Sequence, residues 1–261
     1  MELEGKNIIY VGGFGGIGEK CVEALLKDHV KSLLIFDVHC NAEYLQYLQN
    51  TYTHSYLDYI PMNITNSEDI RNAFQKAKTM IQTFDVVING AGIVDEEEID
   101  QIVQTNLTGL IHSTLIAMEH MSKSNGGHGG CIINISSIAG LNPTEICCVY
   151  GATKSGVLYF TRTLGQPMYY RKTGISFITI CPGGTATPMF QQAFTKMMGI
   201  KHLPELYNVL KSMEPQSATT LAKNLIKVLK MASNGSTWVL NDGQIEEVNF
   251  PEIWGPAMKL S

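Results

Sequence analysis

No stretch of the chain reaches the ~18 consecutive apolar residues that mark a bilayer-spanning helix. Met1 to Gly5 carries neither the basic n-region nor the apolar h-region of a secretion signal, so a cytoplasmic protein is expected. A basic surplus is missing too: 19 Lys and Arg stand against 24 Asp and Glu, a net charge of −5. That excludes the positive footprint with which a domain holds nucleic acid or anionic lipid. The six cysteines, Cys21, Cys40, Cys131, Cys147, Cys148 and Cys181, show no metal-ligand spacing. They read as reduced thiols, and no metal site is expected. Without a secretion signal, the Asn-x-Ser/Thr sequons at Asn63, Asn106, Asn134 and Asn234 read as chance matches. Linkers, low-complexity stretches and internal repeats are absent as well. A chain of 261 residues with 44% hydrophobic content then suits a single domain, residues 1–261.

What the chain does have is alternation. Short apolar runs at 6–11, 32–36, 56–62, 85–88, 131–135, 176–181 and 237–240 predict strands. Helical patterns fall at 16–28, 43–49, 67–83, 100–121, 150–164 and 219–231, the third with Ser67 as its expected N-cap. Strands alternating with helices predict an α/β fold: one doubly wound Rossmann domain with a mostly parallel, seven-stranded sheet.

Between the first strand and first helix lies Gly12-Gly13-Phe14-Gly15-Gly16-Ile17-Gly18. Glycines allow a tight turn and close approach of backbone to a pyrophosphate, and the helix N-terminus attracts its charge. Such runs are often mere loops; the strand before and helix after give this one weight. Asp37 ends the second strand, nineteen residues beyond Gly18, where a carboxylate can accept from a ribose diol. It would repel a 2′-phosphate by about 4 kcal/mol at about 4 Å and an effective dielectric near 20. Neither Val38 nor Phe14 offers a compensating cation, so the expected cofactor is NAD.

Tyr150 and Lys154 are four residues apart, on one face of a helix, and Ser137 lies thirteen residues upstream of the tyrosine. A phenol of ordinary pKa about 10 becomes a base near neutral pH only if the anion gains about 4 kcal/mol. The lysine ammonium and the cationic ring of an oxidised nicotinamide both favour the phenolate. The seryl hydroxyl can then hydrogen-bond the substrate oxygen that loses its proton. Alone, the Tyr-x-x-x-Lys spacing equally fits a buried ring beside a solvated amine; the dinucleotide turn upstream gives the pair its meaning.

Together these features resemble the short-chain dehydrogenase/reductase superfamily over nearly the whole chain, in particular its insect-type alcohol dehydrogenase and 15-hydroxyprostaglandin dehydrogenase branches. The segment Asn125-Gly126-Gly127-His128-Gly129-Gly130-Cys131-Ile132-Ile133-Asn134-Ile135-Ser136-Ser137 is similar to both, and the turn Asn89-Gly90-Ala91-Gly92 resembles the insect enzymes. The resemblance implies a catalytic tetrad of Asn106, Ser137, Tyr150 and Lys154, with Asn106 holding a helix and a proton-relay water and Ser136 structural. It implies cofactor contacts from Gly12, Gly13, Gly16, Ile17, Gly18, Asp37, Asn63, Ile64, Asn89, Gly90 and Ala91. Further contacts would come from Tyr150, Lys154, Pro182, Gly183, Thr185 and Thr187. The family's usual aspartate is replaced here by Asn63, and Val11 stands where a threonine is common. Where the prostaglandin enzymes carry glutamines, this chain reads Ile146-Cys147-Cys148, which argues against a prostanoid substrate. The adjacent cysteines read as small buried hydrophobes rather than a redox pair.

The segment 188–214 is apolar for a loop region, with Met189, Phe190, Phe194, Met197, Met198, Ile200, Leu203, Leu206 and Tyr207. By the resemblance it is a lid over a lipophilic substrate; core or subunit packing would use the same residues. The expected function is NAD-dependent, metal-free interconversion of a lipophilic or secondary alcohol and its carbonyl, in a homodimer or homotetramer. Two alternatives stay open: a lipophile-binding or storage protein that has lost turnover, and an NADPH-dependent carbonyl reductase.

Overall fold

The computed structural model describes residues 1–251; the last ten residues of the expected domain lie outside the described residues. The chain opens with β1 (Asn7–Val11), α1 (Gly16–Lys27), β2 (Ser32–Asp37), α2 (Ala42–Thr51), β3 (Tyr56–Pro61), α3 (Ser67–Ile81) and β4 (Val86–Asn89). Next come α4 (Ile99–Val103), a π turn (Gln104–Gly109), α5 (Leu110–Met121), β5 (Gly130–Ile135), α6 (Cys148–Leu164), α7 (Pro167–Thr173) and β6 (Ile175–Pro182). The rest is β7 (Thr185–Ala186), α8 (Pro188–Lys196), α9 (Met198–His202), α10 (Leu206–Ser212), β8 (Gln216–Ser217), α11 (Ala218–Met231), β9 (Thr237–Asn241) and β10 (Gln244–Glu247).

The main sheet has the order β10-β9-β6-β5-β4-β1-β2-β3, parallel except for β10. Strands covered on both faces read as continuous apolar runs, yet alternate residues serve different layers. Ile8, Tyr10, Leu33, Ile35 and Ile88 pack under α1 and α11, while Ile9, Val11, Leu34, Phe36 and Val87 pack under α3 and α5. Each such side chain removed from water contributes about 1.5–3 kcal/mol. The order reverses between β1 and β4, which opens a crevice beyond their carboxyl ends.

The sheet has eight strands, one more than expected. The extra strand, β10, is a polar edge whose residues Gln244, Glu246 and Glu247 are exposed, so no apolar run announces it. It folds back on β9 through Asp242 (φ 49°) and Gly243 (φ 73°), an Asp-Gly hairpin turn that was legible. Asn66, not Ser67, caps α3: its side chain accepts from the amides of Glu68 and Asp69 at 2.9 and 3.3 Å. The helix expected over 100–121 is interrupted by the π turn, and no described helix is long and apolar enough to cross a membrane.

Candidate functional site

At the crevice the β1–α1 turn meets the β4–α4 turn. Gly12 has φ +82°, and a Cβ there would lie 2.7 Å from the Ala91 backbone. A side chain at Gly18 would run into the Gly12 carbonyl, and one at Gly16 would come within 2.9 Å of Thr187. The turn therefore stays bare, with its amides at the N-terminus of the twelve-residue α1, and Ile17 packs behind it. Asp37, partly exposed, accepts from the Phe14 amide at 3.0 Å and the His39 amide at 3.4 Å, which aims its carboxylate along this turn. A crowded turn with no side chain at Gly12, Gly16 or Gly18, and a carboxylate at its far side, fits a dinucleotide.

A cavity of about 340 Å³ lies further along the same edge, lined by Val38, Ile60, Met62, Asn63, Asn72 and Lys76. Its lining includes Asn63, one of the expected cofactor contacts, and neither Ser137 nor Tyr150. The Asn63 side-chain oxygen is engaged by the Thr65 amide and hydroxyl at 3.0 and 2.8 Å. Ile64 is buried, its carbonyl where a Cβ of Gly109 in the π turn would fall.

The tetrad expected from the sequence comes together at the ends of β4 and β5. Ser137 follows β5, and its Oγ accepts from the Ala139 amide at 3.2 Å. Tyr150 projects from the first turn of α6 and Lys154 from the next, its Nζ 5.6 Å from the tyrosine ring centroid and donating to the Ile135 carbonyl at 3.1 Å. Ser136 donates to the Lys154 carbonyl at 2.8 Å, a structural contact. Asn106, fully buried in the π turn, accepts from the Ile93 amide and donates to the Ile93 carbonyl, each at 2.8 Å, and donates to Thr153 at 3.3 Å. The π turn thereby aims one amide at the loop after β4 and at α6 together.

In the chain alone, burial pushes the Tyr150 phenol up to about 12, opposed by a hydrogen bond with Ser137. Burial also lowers Lys154 from 10.5 to about 8. In the chain alone desolvation is the largest influence on both groups.

The other residues expected to touch the cofactor are placed as follows. The Asn89 side chain points away from the crevice into a buried network: it donates to Asn134 at 2.8 Å and Thr114 at 3.1 Å and accepts from Ser113 at 2.7 Å. Only Gly90 and Ala91 of that turn face Gly12, with the Gly90 amide held by the Val11 carbonyl at 2.9 Å. Asn106 and Asn134 are fully buried, which closes two of the four sequons. Pro182 ends β6 and Gly183 follows it; the Thr185 hydroxyl donates to the Gly183 carbonyl at 2.9 Å, and Thr187 caps α8 by accepting from the Phe190 amide at 3.3 Å. Cys147 is buried, with its thiol pushed up to about 11 by burial, but Cys148 is exposed, so the pair is not buried as a unit.

The segment expected to form a lid is three short helices, α8 to α10, whose ends are tied by the parallel pair β7–β8. Met189, Phe190, Phe194, Met197 and Ile200 pack with Val94, Ile146, Cys147 and the Tyr150 ring in a third apolar cluster, whereas Leu203 and Tyr207 are exposed. One residue that sequence reasoning passed over sits beneath this cluster. Glu96 is fully buried and accepts from the Tyr150 amide and from the Met198 amide, each at 2.7 Å.

A family model described as short chain dehydrogenase matches residues 6–198. Alcohol dehydrogenase 1 of Ceratitis capitata is 34% identical over 257 residues, 98% of this chain and 100% of that protein. Fat body protein 2 of Drosophila melanogaster is 34% identical over 254 residues, 97% of this chain and 99% of that protein. Among solved structures, levodione reductase superposes with a TM-score of 0.76 at 20% identity, covering 93% of this chain and 98% of the other, a likeness of fold alone.

Proposed function

Because the chain belongs to the short-chain dehydrogenase family, we propose that it is an NAD-dependent alcohol dehydrogenase acting on a lipophilic primary or secondary alcohol. The observation that carries this reading is the convergence of Ser137, Tyr150, Lys154 and Asn106 beside the bare glycine turn. Gly12, Gly13, Gly16 and Gly18 would hold the pyrophosphate, Asp37 the adenosine ribose, and Lys154 the nicotinamide ribose. When bound, the oxidised nicotinamide supplies the hydride acceptor and a positive charge that favours the phenolate.

The protein's own part is positioning and proton transfer. Ser137 hydrogen-bonds the alcohol oxygen, and Tyr150 takes its proton through a phenolate. Lys154, whose pKa burial lowers to about 8, passes a proton between the phenol and solvent along the Asn106 side. The apolar cluster of Val94, Met189, Phe190 and Phe194 over Tyr150 supports a lipophilic substrate and excludes water from the proton transfer. The Asp37 carboxylate supports NAD over NADP.

The whole chain, residues 1–261, would act as one catalytic domain in the cytoplasm. Exposed Leu115 on α5 and Tyr159 on α6, the latter 75% exposed, support a homodimer or homotetramer. The deciding experiment is reduction of NAD and of NADP by short-chain, retinoid, steroid and prostanoid alcohols, beside an NADH-binding titration. NAD reduction by an apolar alcohol is the expected result. NADH binding without turnover of any alcohol would make the protein a retired, lipophile-binding member of the family.

A further inference from the structure

Glu96 belongs to no part of the chemistry proposed above, yet it is a fully buried carboxylate with both oxygens in use. It lies in the segment joining β4 to α4, and its own amide donates to the Lys196 carbonyl at the end of α8 at 3.0 Å. Oε1 accepts at 2.7 Å from the amide of Tyr150, in the first turn of α6. Oε2 accepts at 2.7 Å from the amide of Met198, the first residue of α9 in the lid. First-turn amides have no partner within their own helix, and the positive end of a helix suits an anion. Only a carboxylate brings two accepting oxygens: a hydroxyl is too short to bridge, and an amide side chain offers one accepting oxygen and one donor that would face an N–H. Around this pin the neighbouring acids hold the lid from outside. Asp95 pairs with Lys196 at 2.9 Å, and Glu97 pairs with Lys201 at 3.3 Å, all at exposed or partly exposed positions.

We infer that Glu96 is a positioning residue that joins the lid to the helix turn carrying Tyr150, so that seating the lid and placing the phenol are one event. The inference rests on the reading of Tyr150 as the base. A lid that departs takes one acceptor's partner with it and leaves the Met198 amide bare. A lid that returns restores a carboxylate held from both sides against the tyrosine backbone. The substrate thus meets a placed base only under a seated lid.

Two substitutions cut the link from opposite ends. Glu96→Gln keeps the shape and removes one accepting oxygen. Met198→Pro removes the lid's donor, together with one thioether that is not part of the buried cluster: proline is tolerated at a first helical position, and Met197, at φ −83° and ψ 129°, already has the extended backbone that precedes proline. Leaving one buried group unpaired should lower kcat about ten-fold in each variant, with the Kd for NADH, set at the glycine turn, within about two-fold of wild type. Cleavage within 188–213 by a non-specific protease should rise by a similar factor. The double variant should be no worse than the weaker single one in either readout, because both cut the same link. Glu97→Gln, which loses only exposed pairs, should stay within about two-fold throughout.

Effects of the two substitutions that multiply, or a loss of turnover that follows loss of NADH affinity, would overturn the inference. If Glu96→Gln does not fold, Met198→Pro decides alone: wild-type turnover and wild-type cleavage would reject the link. If wild type oxidises no alcohol, the proposed activity fails, while the cleavage rates of the single and double variants still decide whether Glu96 joins lid to helix.

Discussion

Around the glycine turn, backbone meets backbone: a Cβ on Gly12 would stand 2.7 Å from Ala91, and the Gly12 amide is held by the Phe36 carbonyl at 2.7 Å. In the lid, by contrast, helices of nine, five and seven residues leave Leu203, Tyr207, Val209 and Met213 exposed. The two regions touch where Gly16 faces Thr187, the N-cap of α8. The first is fixed by contacts that tolerate no added atom, which suits a part whose ligand does not change. The second is held by side chains of many rotamers, which suits a partner of variable shape. Rigidity here follows from backbone packing, and adaptability from thioethers and phenyl rings.

The largest expected effect lies at the proposed base. Tyr150→Phe should lower alcohol-dependent NAD reduction by 10²–10⁴-fold, the usual contribution of a positioned base, while NADH fluorescence titration gives a Kd close to wild type. A variant retaining more than about a tenth of the activity would mean that the base lies elsewhere.

On the rigid side, Asp37→Ala combined with Val38→Arg should move the ratio of kcat/KM for NAD over NADP by roughly ten- to a hundred-fold toward NADP. The full Coulomb repulsion would be about 4 kcal/mol, but Asp37 is partly exposed and water screens part of it. Equal wild-type efficiency with both cofactors would remove Asp37 as the discriminator.

Next comes the pH dependence of the free fold. Lys154 falls from 10.5 to about 8 on burial, so between those values the unfolded chain holds a proton that the folded chain has lost. Stability from this group therefore rises with pH across that window, by about 1.4 kcal/mol for each unit of separation at most. Tyr150, raised from 10.0 to about 12, acts oppositely: its contribution is present below pH 10 and is lost as pH climbs toward 12. Denaturant unfolding of Lys154→Met without cofactor should lack the rise between pH 8 and 10.5. A difference between wild type and variant that stays flat over that range would contradict the buried, easily deprotonated lysine.

The smallest effect belongs to the adaptable side. From ethanol to decanol, each methylene should improve kcat/KM by a few-fold until the space is filled, since one methylene is worth about 0.8 kcal/mol and apolar pockets discriminate modestly. Phe194→Ala should shift the optimum to longer chains. A flat series in both proteins would assign the lid's apolar residues to internal packing instead.

The glycine turn, Asp37 and the Tyr150–Lys154 pair were legible because each is a local pattern set by the geometry of one strand end or one helix turn. Glu96 was not, for its partners Tyr150 and Met198 lie 54 and 102 residues away and only the folded chain brings them together. The network around Asn89 was hidden for a related reason: a turn asparagine and a buried network asparagine look alike until Ser113, Thr114 and Asn134 surround it. Sheet strands read well as apolar runs, and β10 escaped because an edge strand facing water needs no such run. The sign of the Tyr150 shift depended on how deeply the phenol is enclosed, a quantity no spacing reports.

The parallel pairing of Thr185 with Gln216 and Ala186 with Ser217 brings the two ends of the lid to a single point. Gln216 then fastens that point to the sheet through the Leu240 carbonyl at 2.7 Å. A segment entered and left through one doorway is a cassette. Doubling the length of chain between its ends raises the entropy of closing it by only about 0.6 kcal/mol. The same frame can therefore carry a longer, shorter or wholly different enclosure, and the taste for one alcohol over another can change without disturbing the register of any strand in the main sheet.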